Sequence, residues 1–298
     1  MLILCATDML PRSEAAVERA KMMARQLGAA LRIVHVVPSE REEPRARIAL
    51  AQLERRLRSA SGSKTVCASV LLLRGSPAQQ LGRILQKSAP DLLVLGPRRR
   101  RLLRGRLGGS LAERILSVHC FPLLIVKRSP VVSYRRVLLA LDLTSAAREI
   151  VRTVQPIASR PGVATSVVHA FEPRFGTLPY IPRGMESIGA ANSPERADAE
   201  RAVRLLLSDH GDALMDSNLI LSAAFPADAI VGSVRRVQPD LLVMGASGYG
   251  RFRRALLGST TTQVLDAVSC DVLLVPKGSK PQNRRRPHVH RFRNRTQP

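Results

Sequence analysis

Short aliphatic runs alternate along this chain with longer stretches in which apolar positions recur every three or four residues. Aliphatic runs of four to seven residues, bounded by Gly, Pro or Asp, read as strands covered on both faces, and the longer periodic stretches read as amphipathic helices. In the later part of the chain this places strands at roughly 136–142, 163–169, 218–224, 240–245 and 271–276, with helices near 145–159, 195–209, 226–237 and 259–269. The same succession starts at Leu2. Strand and helix in regular alternation imply right-handed crossovers onto a parallel sheet with helices on both faces.

The two successions are copies of one another. "SPAQQLGRILQKSAPDLLVLG", from Ser76, lies over "FPADAIVGSVRRVQPDLLVMG", from Phe225, at an offset of 149, which sets Pro77 on Pro226, Asp91 on Asp240 and Gly96 on Gly245. The same offset carries Gly109 and Ser110 onto Gly258 and Ser259. Nearer the start the offset is 134, with Asp8 on Asp142 and "IVHV" at 33 on "VVHA" at 167, so the second copy carries a 15-residue insertion. It falls most naturally in 172–194, whose Gly, Pro and Ser content reads as a long loop. The predicted fold class is α/β, with two tandem Rossmann-like doubly wound domains, each a five-stranded parallel sheet with helices on both faces. The first spans 1–129, the second 130–277, and a basic disordered tail takes 278–298.

Composition narrows the cores and the partners. Apolar residues make up 45% of the 298, yet Trp is absent and aromatics total 3%, so the cores are aliphatic. The formal charge is +24, and eight Lys and Arg with no acid lie in 277–298 alone. Such a surface attracts polyanions whether or not binding one is its task. Cys5, Cys67, Cys120 and Cys270 form no CxxC pair and sit in or beside apolar runs, which predicts buried thiols in a reducing compartment. The apolar start is broken by Asp8 and has no basic leader, and no apolar run reaches the ~18 residues a bilayer span needs. The expected location is cytoplasmic, with no membrane partner.

Candidate chemistry gathers where the strand order of such a sheet reverses, beyond the carboxyl ends of the strands. If the first and fourth strands of a copy flank that crevice, Asp142 ends one wall and Gly245 the other. The glycine-rich stretch "GASGYGRFRRALLGS" then delivers Ser259 to the first turn of a helix, where free N–H groups and the helix dipole favour an anion. Its glycines are not GxGxxG and follow the fourth strand, so a dinucleotide fingerprint does not fit, and no GxxxxGK[ST] occurs.

The pattern G-x-x-G, nine residues, G-[ST], after a strand ending in "VMG", resembles the universal stress protein family, whose nucleotide-binding members use it to hold ATP. "DLLVMGASG" and "LLGSTTTQVL" carry the resemblance, which extends over both copies. It implies that Leu141 and Asp142 face the nucleoside and that Ala170 lies near the base. Gly245 and Gly248 would flank ribose and phosphates, and Gly258, Ser259 and Thr260 would hold the phosphate chain, with or without Mg2+. In the first copy Asp8, Gly96, Gly109 and Ser110 match, but Arg99 stands where the second glycine belongs and Pro97 removes an N–H donor. The resemblance implies an ATP-binding regulatory, stress-response module with its nucleotide in the second copy and, at most, weak ATPase activity.

Two other readings stay open: a slow ATP-hydrolysing enzyme on the same fold, or a nucleic-acid or polyanion-binding protein with a vestigial nucleotide site. The arginine-rich stretch 98–106, with Arg98 at its start and Arg106 at its end, and the basic tail are the surfaces an RNA or other polyanion would touch. His35 and His169 occupy matching strand positions without neighbouring ligands, which predicts hydrogen-bonded core histidines and no metal site. No Ser, His and Asp arrangement suggests a catalytic triad. A homodimer is left open, since two copies in one chain could already supply a pseudo-two-fold pairing.

Overall fold

The computed structural model describes residues 1–59, 67–97, 111–116, 121–129, 131–172, 193–209, 212–246 and 258–278. In the first copy, β1 (Leu2–Thr7), α1 (Pro11–Leu27), β2 (Ala30–Val37), α2 (Glu43–Ser59), β3 (Ala68–Arg74), α3 (Pro77–Ser88), β4 (Leu92–Leu95), α4 (Leu111–Leu116) and β5 (Leu123–Ile125) follow in order. The second copy supplies β6 (Arg136–Ala140), α5 (Ser145–Ala158), β7 (Ala164–Ala170), α6 (Pro194–Ser208), the short α7 (Asp212–Met215), β8 (Asn218–Ser222), α8 (Pro226–Val237), β9 (Leu241–Gly245), α9 (Ser259–Ala267) and β10 (Asp271–Val275). The strands and main helices fall where the hydrophobic pattern puts them, and α7 is the one short helix among these that the pattern does not announce.

Local chemistry explains the boundaries. Proline occupies the first turn of α1, α3, α6 and α8, where its missing N–H costs nothing. Thr144 caps α5 by accepting from the N–H of Ala146, and Ser193 caps α6 by accepting from that of Arg196. Gly28 ends α1 at φ 61°, a left-handed turn that favours glycine.

Within each copy the sheet is parallel, and its first and fourth strands are neighbours: β1 pairs with β4, and β6 with β9. The two five-stranded sheets are fused. The order is β3-β2-β1-β4-β5-β10-β9-β6-β7-β8, a single ten-stranded sheet whose halves meet through an antiparallel pairing of β5 with β10. Leu124 faces Leu273 at the centre of that pairing, and these residues match at the repeat offset of 149, so a pseudo-two-fold axis passes between them. One face of the sheet is covered by α1, α2, α5, α6 and α7 over a core that includes Val17, Leu53, Ile150 and Val203. The other face packs α3, α4, α8 and α9 over Leu85, Ile115, Ile230 and Val264. At about 25 cal/mol per Å2, burial of these aliphatic faces is the main force holding the layers together.

Charged residues pin the strands at defined points. Asp91 accepts the N–H of Leu2 at 2.6 Å, and its repeat partner Asp240 accepts the N–H of Arg136 at 2.9 Å, so each "PD" carboxylate fixes the start of the central strand beside it. The seam carries a network without a counterpart across the axis. Asp271, fully buried, accepts from Arg19 Nε at 3.1 Å, from the Tyr134 hydroxyl at 2.7 Å and from the N–H groups of Lys127 and Arg128 at 2.8 and 3.0 Å. The Arg19 guanidinium stacks 3.9 Å from the Tyr134 ring centroid. At the repeat offsets Asp271 matches Pro122, and Arg19 matches Thr153.

Cys5 and Cys270 are buried as expected, and burial pushes their thiols up to about 12 and about 11. Cys67 is exposed, contrary to expectation, because it immediately precedes β3, the edge strand of the sheet. Cys120, most of the 172–194 insertion and the tail from 279 lie outside the described residues. No described helix is long and apolar enough to cross a membrane.

Candidate functional site

At the carboxyl ends of β6 and β9 the second copy brings its candidate residues together. Ala140 and Met244 are register partners, so the chain leaves the sheet as Leu141 and Asp142 on one strand beside Gly245 on the next. Leu141 is buried, with its N–H on the carbonyl of Val168 at 3.0 Å. Its carbonyl makes a 2.7 Å hydrogen bond with Nδ1 of His169 on β7, whose last residue is the half-buried Ala170. His35 makes the same bond, at 2.8 Å, to the carbonyl of Thr7 in the first copy. Both histidines are therefore hydrogen-bonded strand residues that brace the end of the central strand. Among the described residues no group of three or more His, Cys, Asp or Glu could hold a metal ion.

Asp142 is exposed, and the turn that presents it is strained. Leu143 follows at φ 57°, and Met9, its repeat partner, has the same φ of 57°. Non-glycine residues rarely adopt this conformation, and recurrence in both copies marks it as part of the fold's switch-point turn. Asp142 Oδ1 accepts the N–H of Thr144 at 3.1 Å and its hydroxyl at 2.8 Å. No described residue donates to Oδ2.

Across the crevice, among the described residues, a Cβ placed on Gly245 would meet only Ile150 Cδ1, at 3.7 Å. Gly258 stands at the N-cap of α9 without a side-chain cap, followed by exposed Ser259 and half-buried Thr260. The first turn of α9 thus takes no side-chain oxygen from its own N-cap residue, the usual acceptor for its N–H groups. Buried Thr261, which the sequence reading passed over, ties this helix start to the strand by donating its hydroxyl to the Gly245 carbonyl at 3.4 Å. Its signal was the run of three threonines after Gly258 and Ser259. Leu141, Asp142, Ala170, Gly245, Gly258, Ser259 and Thr260 consequently line one end of the sheet, while Gly248 lies outside the described residues.

The first copy is built differently at the same place. Asp8 is engaged by its own chain: Oδ1 accepts the N–H of Leu10 at 3.1 Å and the Ser13 hydroxyl at 2.8 Å, and Oδ2 accepts from Arg12 at 2.5 Å. Partial burial alone would raise this carboxyl, but Ser13, Leu10 and Arg12 outweigh it and hold it below the ordinary carboxylate value. Gly96 is pressed against α1, with a built Cβ only 3.3 Å from Ser13 Cα. Arg99, Gly109, Ser110 and the stretch 98–106 lie outside the described residues.

Comparison with known proteins agrees with the duplicated architecture. The sequence model of the universal stress protein family matches residues 1–127 and again 133–276. A curated relative, the universal stress protein in the QAH/OAS sulfhydrylase 3′ region of Thermus aquaticus, is 29% identical over 142 residues, covering 48% of this chain and 98% of the relative. The universal stress protein Slr1230 of Synechocystis is 27% identical over 186 residues, covering 61% of this chain and 57% of that protein. Among solved structures, a universal stress protein from Archaeoglobus fulgidus DSM 4304 superposes with a TM-score of 0.67 at 15% identity, over 92% of this chain and 96% of that one.

Proposed function

From a chain that belongs to the universal stress protein family as two tandem copies, we propose a regulatory, stress-response module that binds ATP in the crevice of its second copy. The observation that carries this reading is the start of α9, where Gly258 at the N-cap supplies no capping side chain. Gly258, Ser259 and Thr260 offer N–H and hydroxyl donors there, and Thr261 holds that turn against the end of β9. A phosphate chain satisfies such donors and is favoured by the helix dipole. Across the crevice, Asp142 Oδ2 is suited to accept from a ribose hydroxyl, Leu141 and Ala170 offer an apolar surface to the base, and the space beside Gly245 admits the sugar and phosphates. Mg2+ would then be carried by the phosphate oxygens.

The binding role follows from position and charge alone, so it is tested by affinity. Calorimetric titration of the full chain with ATP should show binding, and Ser259→Ala should weaken it by about 1.5–3 kcal/mol, the range for a hydrogen bond to a charged group. That is roughly a 10- to 150-fold rise in Kd. Unchanged affinity in the folded variant removes Ser259 from the site, and no binding by the native chain refutes the proposal.

A further inference from the structure

The two copies share a backbone path at the switch point and differ in what side chains do there. At the offset of 134, Thr7, Arg12 and Ser13 of the first copy correspond to Leu141, Ala146 and Ala147 of the second. Three polar residues face three apolar ones. In the first copy they form a continuous chain: the Thr7 and Ser13 hydroxyls lie 2.9 Å apart, both residues are buried, and Ser13 donates onward to Asp8. Arg12, four residues after Asp8 and in the first turn of α1, closes over the second carboxylate oxygen. Both oxygens of Asp8 are thereby engaged by the protein, whereas among the described residues Asp142 has only Thr144 on one of its oxygens.

The backbone adds a steric difference to the polar one. The first turn of α1 lies so close to the end of β4 that Ser13 Cα sits 3.3 Å from the place of a Cβ on Gly96. The corresponding approach in the second copy is one flexible methyl of Ile150 at 3.7 Å. Among the described residues, room that the second crevice keeps beside its glycine is filled in the first by helix backbone.

We infer that the first crevice is held shut from within by Arg12 and Ser13, and that this clasp confines the nucleotide to the second copy. It acts apart from the departures at Pro97 and Arg99, and it rests on the ATP-binding reading of the second crevice. The Arg12–Asp8 pair is more than one-third exposed on both sides and is weak by itself. The buried Thr7–Ser13 chain and the seated helix turn are what keep it in place.

Reciprocal exchange tests the clasp in the full chain. R12A/S13A gives the first copy the second copy's residues; NMR titration of 13C-labelled aspartate should show Asp8 moving up toward the ordinary carboxylate range. A146R/A147S moves the clasp into the second copy and should weaken ATP binding at least tenfold, with Ala147→Ser alone as the milder version should the pair misfold. Native chain should bind one ATP. Two equal sites, an unmoved Asp8 in R12A/S13A, or a folded A146R/A147S with native affinity would each overturn the clasp. If the native chain binds no ATP, the nucleotide reading fails and takes with it the claim of confinement, while the closure itself is still decided by the Asp8 titration.

Discussion

Arg19→Met asks how much the seam between the two copies depends on its buried ion pair. The side chains of Arg19 and Asp271 are 3% and 0% exposed, so removing the cation leaves a carboxylate sealed from water without its ion-pair partner, while the nearby Lys127 ammonium is hydrogen-bonded to the carbonyls of Leu265 and Val268. Removing one partner of such a pair costs about 3–5 kcal/mol. Asp271 keeps the Tyr134 hydroxyl and two backbone N–H groups, which points to the lower end, about 3 kcal/mol. With an unfolding entropy of roughly 2.1 cal/mol/K per residue over 298 residues, that corresponds to a fall of about 5 °C in melting temperature. Asp271→Leu should cost more, about 5 kcal/mol, because four donors lose their acceptor and the buried guanidinium, which still donates to the Val132 carbonyl, loses its carboxylate. In the double variant R19M/D271L both members of the ion pair are gone, so its loss should undershoot the sum of the singles by about 2–3 kcal/mol. Urea unfolding followed by far-UV circular dichroism measures all three. Additivity within about 0.5 kcal/mol, or an Arg19→Met loss under about 1 kcal/mol, would refute the account of the seam.

Three further outcomes test close approach and burial at single positions. Gly96→Ala forces a methyl to within 3.3 Å of the α1 backbone and should destabilise by about 1–3 kcal/mol, whereas Gly245→Ala makes an ordinary contact at 3.7 Å and should stay within about 0.5 kcal/mol of native in the same unfolding assay. Alkylation at pH 8 with peptide mapping should label Cys67 at once and spare Cys5 and Cys270 until the protein unfolds. Because the Cys5 thiol is raised in the fold from 9.0 to about 12, its contribution is fully present below pH 9 and is lost as the pH climbs toward 12. Melting temperature should therefore decline over that interval, and less steeply in Cys5→Ala.

The alternation of strand and helix was readable because the buried strands are unbroken aliphatic runs and because prolines 11, 77, 194 and 226 mark helix starts. The adjacency of β6 and β9 followed from the topology that such alternation imposes, and with it the meeting of Asp142 and Gly245. The edge-to-edge union of β5 and β10 was not readable, since "LLI" and "DVLLV" name no partner; the pairing depends on two surfaces that only the folded halves possess. Asp271 likewise looks like any residue before a strand until Arg19, 252 positions away, is seen beside it. Arg12 was hidden for another reason. Its spacing of four from Asp8 means little until Pro11 is known to start a helix whose first turn sits on Gly96.

The antiparallel join at the centre of the sheet gives the molecule two poles. All strands of one half point opposite to those of the other, so the two switch points open at contrary ends, four strand spacings and about a strand length apart, on the order of 25 Å. A substitution that reshapes one mouth therefore has no short path to the other. Duplication in this arrangement lets the two ends carry different side chains, as Asp8 and Asp142 with their neighbours do, while one sheet serves both.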